Sequence, residues 1–235
     1  MPHRSTPAVF AHRGVSSEFP ENTIPAFRAA RFRGADGVEL DVRRSSDGVL
    51  VVHHDARLED GRTIIESLGV ELPSTVPRLE EALEACEGIT VNIEIKNMPG
   101  EPDFDPTNGV VEGVVRAVQA LGRTADVIVS SFNLATVDEV RKLDPAIATG
   151  WLVFDIDDIN AVVARTEQAG HTALHPFVGR TTAQLIEACH IAGLEVNTWT
   201  VDDPARIKQL VDDGVDGIIT NVPEIAREAV ERALG

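Results

Sequence analysis

Glu39 and Asp41 stand two residues apart in "GVELDV" (37–42), a stretch whose other members are glycine and β-favouring apolar residues. Side chains on a strand alternate between faces, so Val38, Leu40 and Val42 share one face and the two carboxylates share the other. The same alternation recurs in "VNIEIK" (91–96), where Val91, Ile93 and Ile95 oppose Asn92, Glu94 and Lys96. If the two strands are neighbours, Glu39, Asp41 and Glu94 converge. Three carboxylates in a low-dielectric interior repel one another unless a cation or a proton neutralises them. An all-oxygen donor set suits Mg²⁺ or Ca²⁺ better than zinc, which favours nitrogen and sulfur. The competing expectation is that these acids pair with Lys96 and Arg13 and merely fill a layer of the interior. A second acidic strand tilts the balance toward a bound cation, because interior acids are costly.

Histidines stand close to this cluster in the chain. "AHRG" (11–14) closes the first strand and "VVHHD" (51–55) closes a hairpin-like return after the second, so His12 and one of His53 or His54 reach the same rim as the acids. Imidazole titrates near neutral pH, and a pair of them can share proton removal and proton donation. His54 is preferred over His53 because Asp55 follows it and can orient its ring. Arg13 adds a planar donor suited to phosphate, and Lys96 a point charge. His175 in "LHPF" either touches substrate or is structural. Trp199 in "NTWTV" is either an apolar wall of the mouth or a core residue. His3, His171 and His190 are expected on the surface, and "EPDFDP" (101–106) as a solvated turn rather than a lid.

The elements that must carry these groups alternate along the whole chain. Eight short β-branched runs, "AVFAH", "GVELDV", "ITVNIEIK", "DVIVSSF", "IATGWLV", "TALHPF", "LEVNTWTV" and "DGIITN", alternate with eight amphipathic stretches. Several of the latter open on Asn, Thr or Asp and close on Gly, as helices do. Eight strand–helix units in 235 residues fit an α/β chain folded as a (β/α)8 TIM barrel. An open doubly wound sheet is the alternative, but no glycine-rich phosphate turn follows the first strand. A tail over 1–7 and a single barrel domain over 8–235 are expected, with irregular stretches near 55–75 and 97–108 on the active-site face. The net charge of −17 opposes partners such as nucleic acid or an anionic membrane surface. Cys86 and Cys189, both in helical patterns, suggest reduced thiols, and neither a signal peptide nor a membrane span is read, so a cytoplasmic location is expected.

Taken in order, "AHRG", "PENTIPAF", "GADGVELDVRRSSDGVLVVHHD", "VPRLEEAL", "NIEIK", "SSFN" and "VNTWTVDDP" resemble the glycerophosphodiester phosphodiesterase family over Ala11 to Glu224. The resemblance implies a phospholipase-C-like TIM barrel without a large inserted domain. It also implies one divalent cation, Mg²⁺ or Ca²⁺, and hydrolysis of small glycerophosphodiesters to glycerol 3-phosphate and an alcohol. Carried over motif by motif, it makes His12 and His54 the catalytic pair, and Glu39, Asp41 and Glu94 the metal ligands. Arg13, Glu21, Asn22 and Lys96 become phosphate-side or supporting residues, and Trp199 lines the site. The attacking group it implies is the glycerol 2-hydroxyl, through a cyclic phosphate. Two alternatives stay open, a lysophospholipase D or C type enzyme on the same barrel and a catalytically silent phosphodiester-binding barrel. The chain departs from the family in the segment after "HHD" and in "TNVPE", which replaces the frequent "TDRP". Neither departure is expected to touch the catalytic set.

Overall fold

The computed structural model describes residues 6–235. In chain order the elements are β1 (Ala8–His12), α1 (Ile24–Ala30), β2 (Gly37–Arg44), β3 (Leu50–Val52), α2 (Leu79–Ala85), β4 (Thr90–Ile95) and α3 (Gly109–Ala120). They continue with β5 (Val127–Ser131), α4 (Leu134–Leu143), β6 (Ala148–Val153), α5 (Ile159–Gln168), β7 (Ala173–Pro176), α6 (Ala183–Ile191), β8 (Glu195–Thr198), α7 (Pro204–Asp212), β9 (Gly217–Thr220) and α8 (Pro223–Leu234). Every strand except β3 pairs in parallel with its neighbours, and β1 pairs with both β2 and β9. The sheet therefore closes into an eight-stranded (β/α)8 barrel, which excludes the open doubly wound alternative. β3 lies antiparallel on β2, the return expected from "VVHHD".

The parity of the strands sorts the side chains. The outward residues Val38, Leu40, Val42, Val91, Ile93, Ile95, Val127 and Val129 pack with Phe27, Leu79, Leu83, Val111 and Val114 from the helices. The other half repeats the pattern, with Val9, Leu174, Val196 and Ile218 against Leu185, Ile186, Leu210 and Val230. Each such side chain, fully buried, contributes roughly 1.5–3 kcal/mol. Side chains of Asn133, Asp158, Thr182 and Asp203 accept backbone N–H groups at the starts of α4, α5, α6 and α7, the caps expected from the sequence. Among the described residues no helix is long and apolar enough to cross a membrane.

Inside the barrel, Ala8, Phe10 and Ile219 pack together with Ile128 and Trp199. Bulky inner residues face glycines here. Gly37 is the register partner of Phe10, and a Cβ on it would lie 2.6 Å from the Phe10 ring. Gly150 and Gly217 face His175 and Asn197 in the same way, leaving no room for a side chain. The result is a packed floor at the N-terminal end of the barrel, so functional groups gather at the other end.

Three expectations are corrected. His171 is buried at 4% exposure, with Nδ1 against Thr149 Oγ1 at 2.9 Å and Nε2 against Asp138 Oδ1 at 3.1 Å, so it is a structural histidine. His190 is half-buried against Asp216, and His3 lies outside the described residues. The "EPDFDP" segment is a turn, as expected, but two of its acids are not solvated. Its Asp103 is buried against Arg43 at 2.5 Å, and Asp105 pairs with Arg44 and accepts the backbone N–H of Gly109 at the start of α3. Both cysteines are free and buried, and burial pushes each thiol up to about 12.

Candidate active site

β2 and β4 pair with Asp41 opposite Glu94 and Glu39 opposite Asn92, so the acidic faces of both strands meet at the C-terminal mouth. Glu39, Asp41 and Glu94 are 3%, 0% and 9% exposed, and one carboxylate oxygen from each lies within 4.8 Å of the others. Burial and the charges of Asp41 and Glu94 push Glu39 well above the usual carboxylate range. Burial likewise raises Glu94, against the pull of Lys96. Asp41 is the exception, because Lys96 and Arg13 outweigh its burial and hold it low.

Side-chain cations do enter this layer, as the competing expectation required. Lys96 Nζ stands 2.8 Å from Glu94 and 3.5 Å from Asp41, and Arg13 Nε 3.2 Å from Asp41. They do not satisfy it. Among the described residues Asp41 Oδ1 finds no hydrogen-bond partner, and Glu39 receives only the Arg13 backbone N–H, at 3.0 Å, with His12 Nε2 at 3.9 Å. A compact set of buried oxygens with acceptor capacity to spare fits a hard divalent cation, which these three side chains could hold.

Turns after the strands aim the remaining groups. Arg13 follows β1 at φ 57°, and Gly14 at φ 79° packs so tightly on Ala26 that a Cβ would clash at 2.7 Å. This turn brings the Arg13 backbone to Glu39 and its guanidinium to Asp41 and Glu21, the latter through Nη1 at 3.0 Å to both oxygens. Asn22, also left-handed at φ 57°, donates from Nδ2 to Asp41 Oδ2 at 2.8 Å. Asparagine tolerates that conformation better than most residues. Asn22 therefore orients a carboxylate, and Glu21 an arginine.

His54 Nδ1 meets Asp55 Oδ1 at 2.7 Å, whereas His53 Nδ1 meets the Asp55 backbone carbonyl. Burial holds His54 below the usual imidazole range even though Asp41 is near enough to pull it up. Burial, then Arg13, does the same to His12. His54 lines a cleft of about 870 Å³ together with Glu21, Asn22, Arg57 and Glu59. His12, Glu39, Asn92, Glu94 and Trp199 line a narrow crevice deeper in the mouth. Trp199 borders the same crevice as His12 and Glu39, and its ring continues into Phe154 and Phe177, which stack at 4.8 Å. His175 stays in the interior, 1% exposed and beside Asn197 Nδ2 at 3.0 Å, so it is structural.

Sequence reasoning missed two groups. Arg43, one strand pleat beyond Asp41, is buried and donates to the His54 carbonyl from Nε at 2.8 Å and Nη2 at 2.6 Å. Asn221, in the departing "TNVPE", touches His12 Nδ1 with Oδ1 at 2.7 Å, which overturns the expectation that this departure stands clear of the catalytic set. The available signal was position alone, since polar residues at the C-terminal ends of barrel strands face the site.

The class that this fold and mouth define is the (β/α)8 barrels with a buried acidic cluster and histidines at the C-terminal mouth. The model of the glycerophosphoryl diester phosphodiesterase family matches residues 12–225, and the chain belongs to that family. A glycerophosphodiester phosphodiesterase of Caldanaerobacter subterraneus is 32% identical over 92% of this chain and 94% of its own length. One from Bacillus altitudinis is 30% identical over 93% and 96%. Among solved structures, an Oleispira antarctica phosphodiesterase in complex with the product sn-glycerol-3-phosphate superposes with a TM-score of 0.86 at 28% identity, covering 96% of this chain and 97% of that one. The Thermotoga maritima glycerophosphodiester phosphodiesterase gives 0.81, also at 28%, over 95% and 98%.

Proposed function

We propose that this chain hydrolyses glycerophosphodiesters to sn-glycerol 3-phosphate and an alcohol, with Mg²⁺ or Ca²⁺ held by Glu39, Asp41 and Glu94, and with His12 and His54 moving the protons. The observation that carries the reading is the convergence of three buried, incompletely paired carboxylates with two histidines at one mouth. The relative that holds sn-glycerol-3-phosphate supports the substrate class. When bound, the cation would draw charge from the phosphoryl oxygens. Arg13 and Lys96 neutralise the phosphate, and Asn22 and Glu21 keep Asp41 and Arg13 in place. One histidine takes the proton of the attacking glycerol 2-hydroxyl and the other protonates the departing alcohol. Water then opens the cyclic phosphate.

The test is release of glycerol 3-phosphate from glycerophosphocholine and glycerophosphoethanolamine with Mg²⁺, Ca²⁺ or chelator. Release should need the cation, vanish in Glu39→Gln, and fall by roughly a hundredfold or more in His12→Ala and His54→Ala. Phosphorus NMR under single-turnover conditions should detect the cyclic phosphate. Chelator-insensitive release, or near-normal turnover in either histidine variant, would sink the scheme.

A second reading is favoured by the aromatic wall. Phe154 is 55% exposed and leads from Trp199 away from the site, a surface on which one acyl chain can lie. A lysophospholipase-type activity predicts faster release from lysophosphatidylcholine than from glycerophosphocholine, lost in Phe154→Ser. The silent-barrel alternative is disfavoured, because both histidines and all three acids are retained.

A further inference from the structure

We infer that Asn221, held by Asp202, is a positioning residue that keeps the His12 ring proton on Nδ1 and thereby presents Nε2 to the reacting atoms. The inference rests on the reading of His12 as one of the two proton-moving groups.

The geometry fixes the hydrogens on Asn221 and on His12. Asp202 Oδ1 accepts from the Asn221 backbone N–H at 2.8 Å and from Thr220 Oγ1 at 2.9 Å, and Oδ2 faces the Asn221 side chain at 2.7 Å. An ionised carboxylate only accepts, so the amide NH2 of Asn221 must be the end that meets it. The amide oxygen then points the other way, where it lies 2.7 Å from His12 Nδ1 and 3.0 Å from Ser16 Oγ. An amide oxygen also only accepts, so Nδ1 must donate and carry the proton. In the neutral ring the free lone pair is on Nε2, which faces Glu39 at 3.9 Å and borders the crevice. Ser16 Oγ also lies 2.9 Å from the His12 carbonyl, tying the backbone of the same residue to this loop. Two residues from separate strand ends, 209 and 190 positions from His12, thus fix which nitrogen does chemistry.

Exchanging the two partners supplies the test. Asn221→Asp alone sets two carboxylates against each other and should displace the acceptor from His12. The double variant Asp202→Asn with Asn221→Asp restores every contact, because the amide introduced at position 202 would donate to the new carboxylate while accepting from Thr220 and the backbone of residue 221. With glycerophosphocholine and Mg²⁺, the single variant should lose roughly tenfold or more in kcat with KM changed less than about twofold, and the double variant should recover most of the loss. Nitrogen-15 NMR of histidine-labelled protein, at a pH where the ring is neutral, should show the His12 proton on Nδ1 in the unaltered chain. It should shift toward Nε2 in Asn221→Ala, which also serves if Asn221→Asp does not fold. Turnover in Asn221→Ala within about twofold of the unaltered chain, a proton that stays on Nδ1 without Asn221, or a double variant no better than the single one would each overturn the inference. If the unaltered chain hydrolyses no glycerophosphodiester, it is the proposed function that fails. The ring-proton measurement then still decides whether Asn221 sets the tautomer.

Discussion

His175 shows how far burial alone can move a group. Burial with no compensating charge takes its pKa from 6.5 to about 3. Its Nδ1 has no hydrogen-bond partner among the described residues, and Gly150 and Asn197 enclose its other edge. The unfolded chain therefore binds the proton more readily than the folded one, and the neutral ring's contribution is complete only above pH 6.5. As pH falls from there toward about 3, stability is lost at roughly 1.4 kcal/mol per unit. Thermal unfolding followed over that range should show a steeper acid loss for the native chain than for His175→Gln. Parallel curves would disprove it. At this scale the sequence was most informative where side chains alternate, because parity in β2 and β4 fixed which acids turn inward. For Asn221 it offered only a position at a strand end, because its partner His12 is brought near by closure of β9 on β1.

The segments after β3 and β4 are joined by Arg43. Its guanidinium donates to the His54 carbonyl, to Glu101 at 3.0 Å and to buried Asp103, tying the segment that carries His54 to the segment after β4. Arg43→Met would leave Asp103 buried without a partner, a loss of roughly 3–5 kcal/mol. Lysine cannot reproduce the fork. Both variants should lower the denaturation midpoint and reduce turnover, with Arg43→Lys the milder. Full turnover in Arg43→Met would show that His54 is positioned without it. The element boundaries were legible because hydrophobic period and capping residues are local. The conduct of "EPDFDP" was not, since its acids read as solvated until a partner about 60 positions earlier is brought against them.

Over the whole molecule, a net charge of −17 surrounds a mouth that is proposed to admit phosphodiesters. Long-range repulsion falls as salt screens it, over about 10 Å at 0.1 M. For an anionic diester such as glycerophosphoglycerol, kcat/KM should rise with ionic strength, whereas zwitterionic glycerophosphocholine should respond little. Equal salt dependence for the two would show that the local cations Arg13 and Lys96 dominate approach. The floor built from Gly37, Gly150 and Gly217 against Phe10, His175 and Asn197 bears on the same traffic. A barrel sealed at one end has a single door, and what is made inside must leave by the way its precursor came. Each departing product therefore queues against the next arrival, so progress curves should slow as glycerol phosphate accumulates, well before the diester runs out.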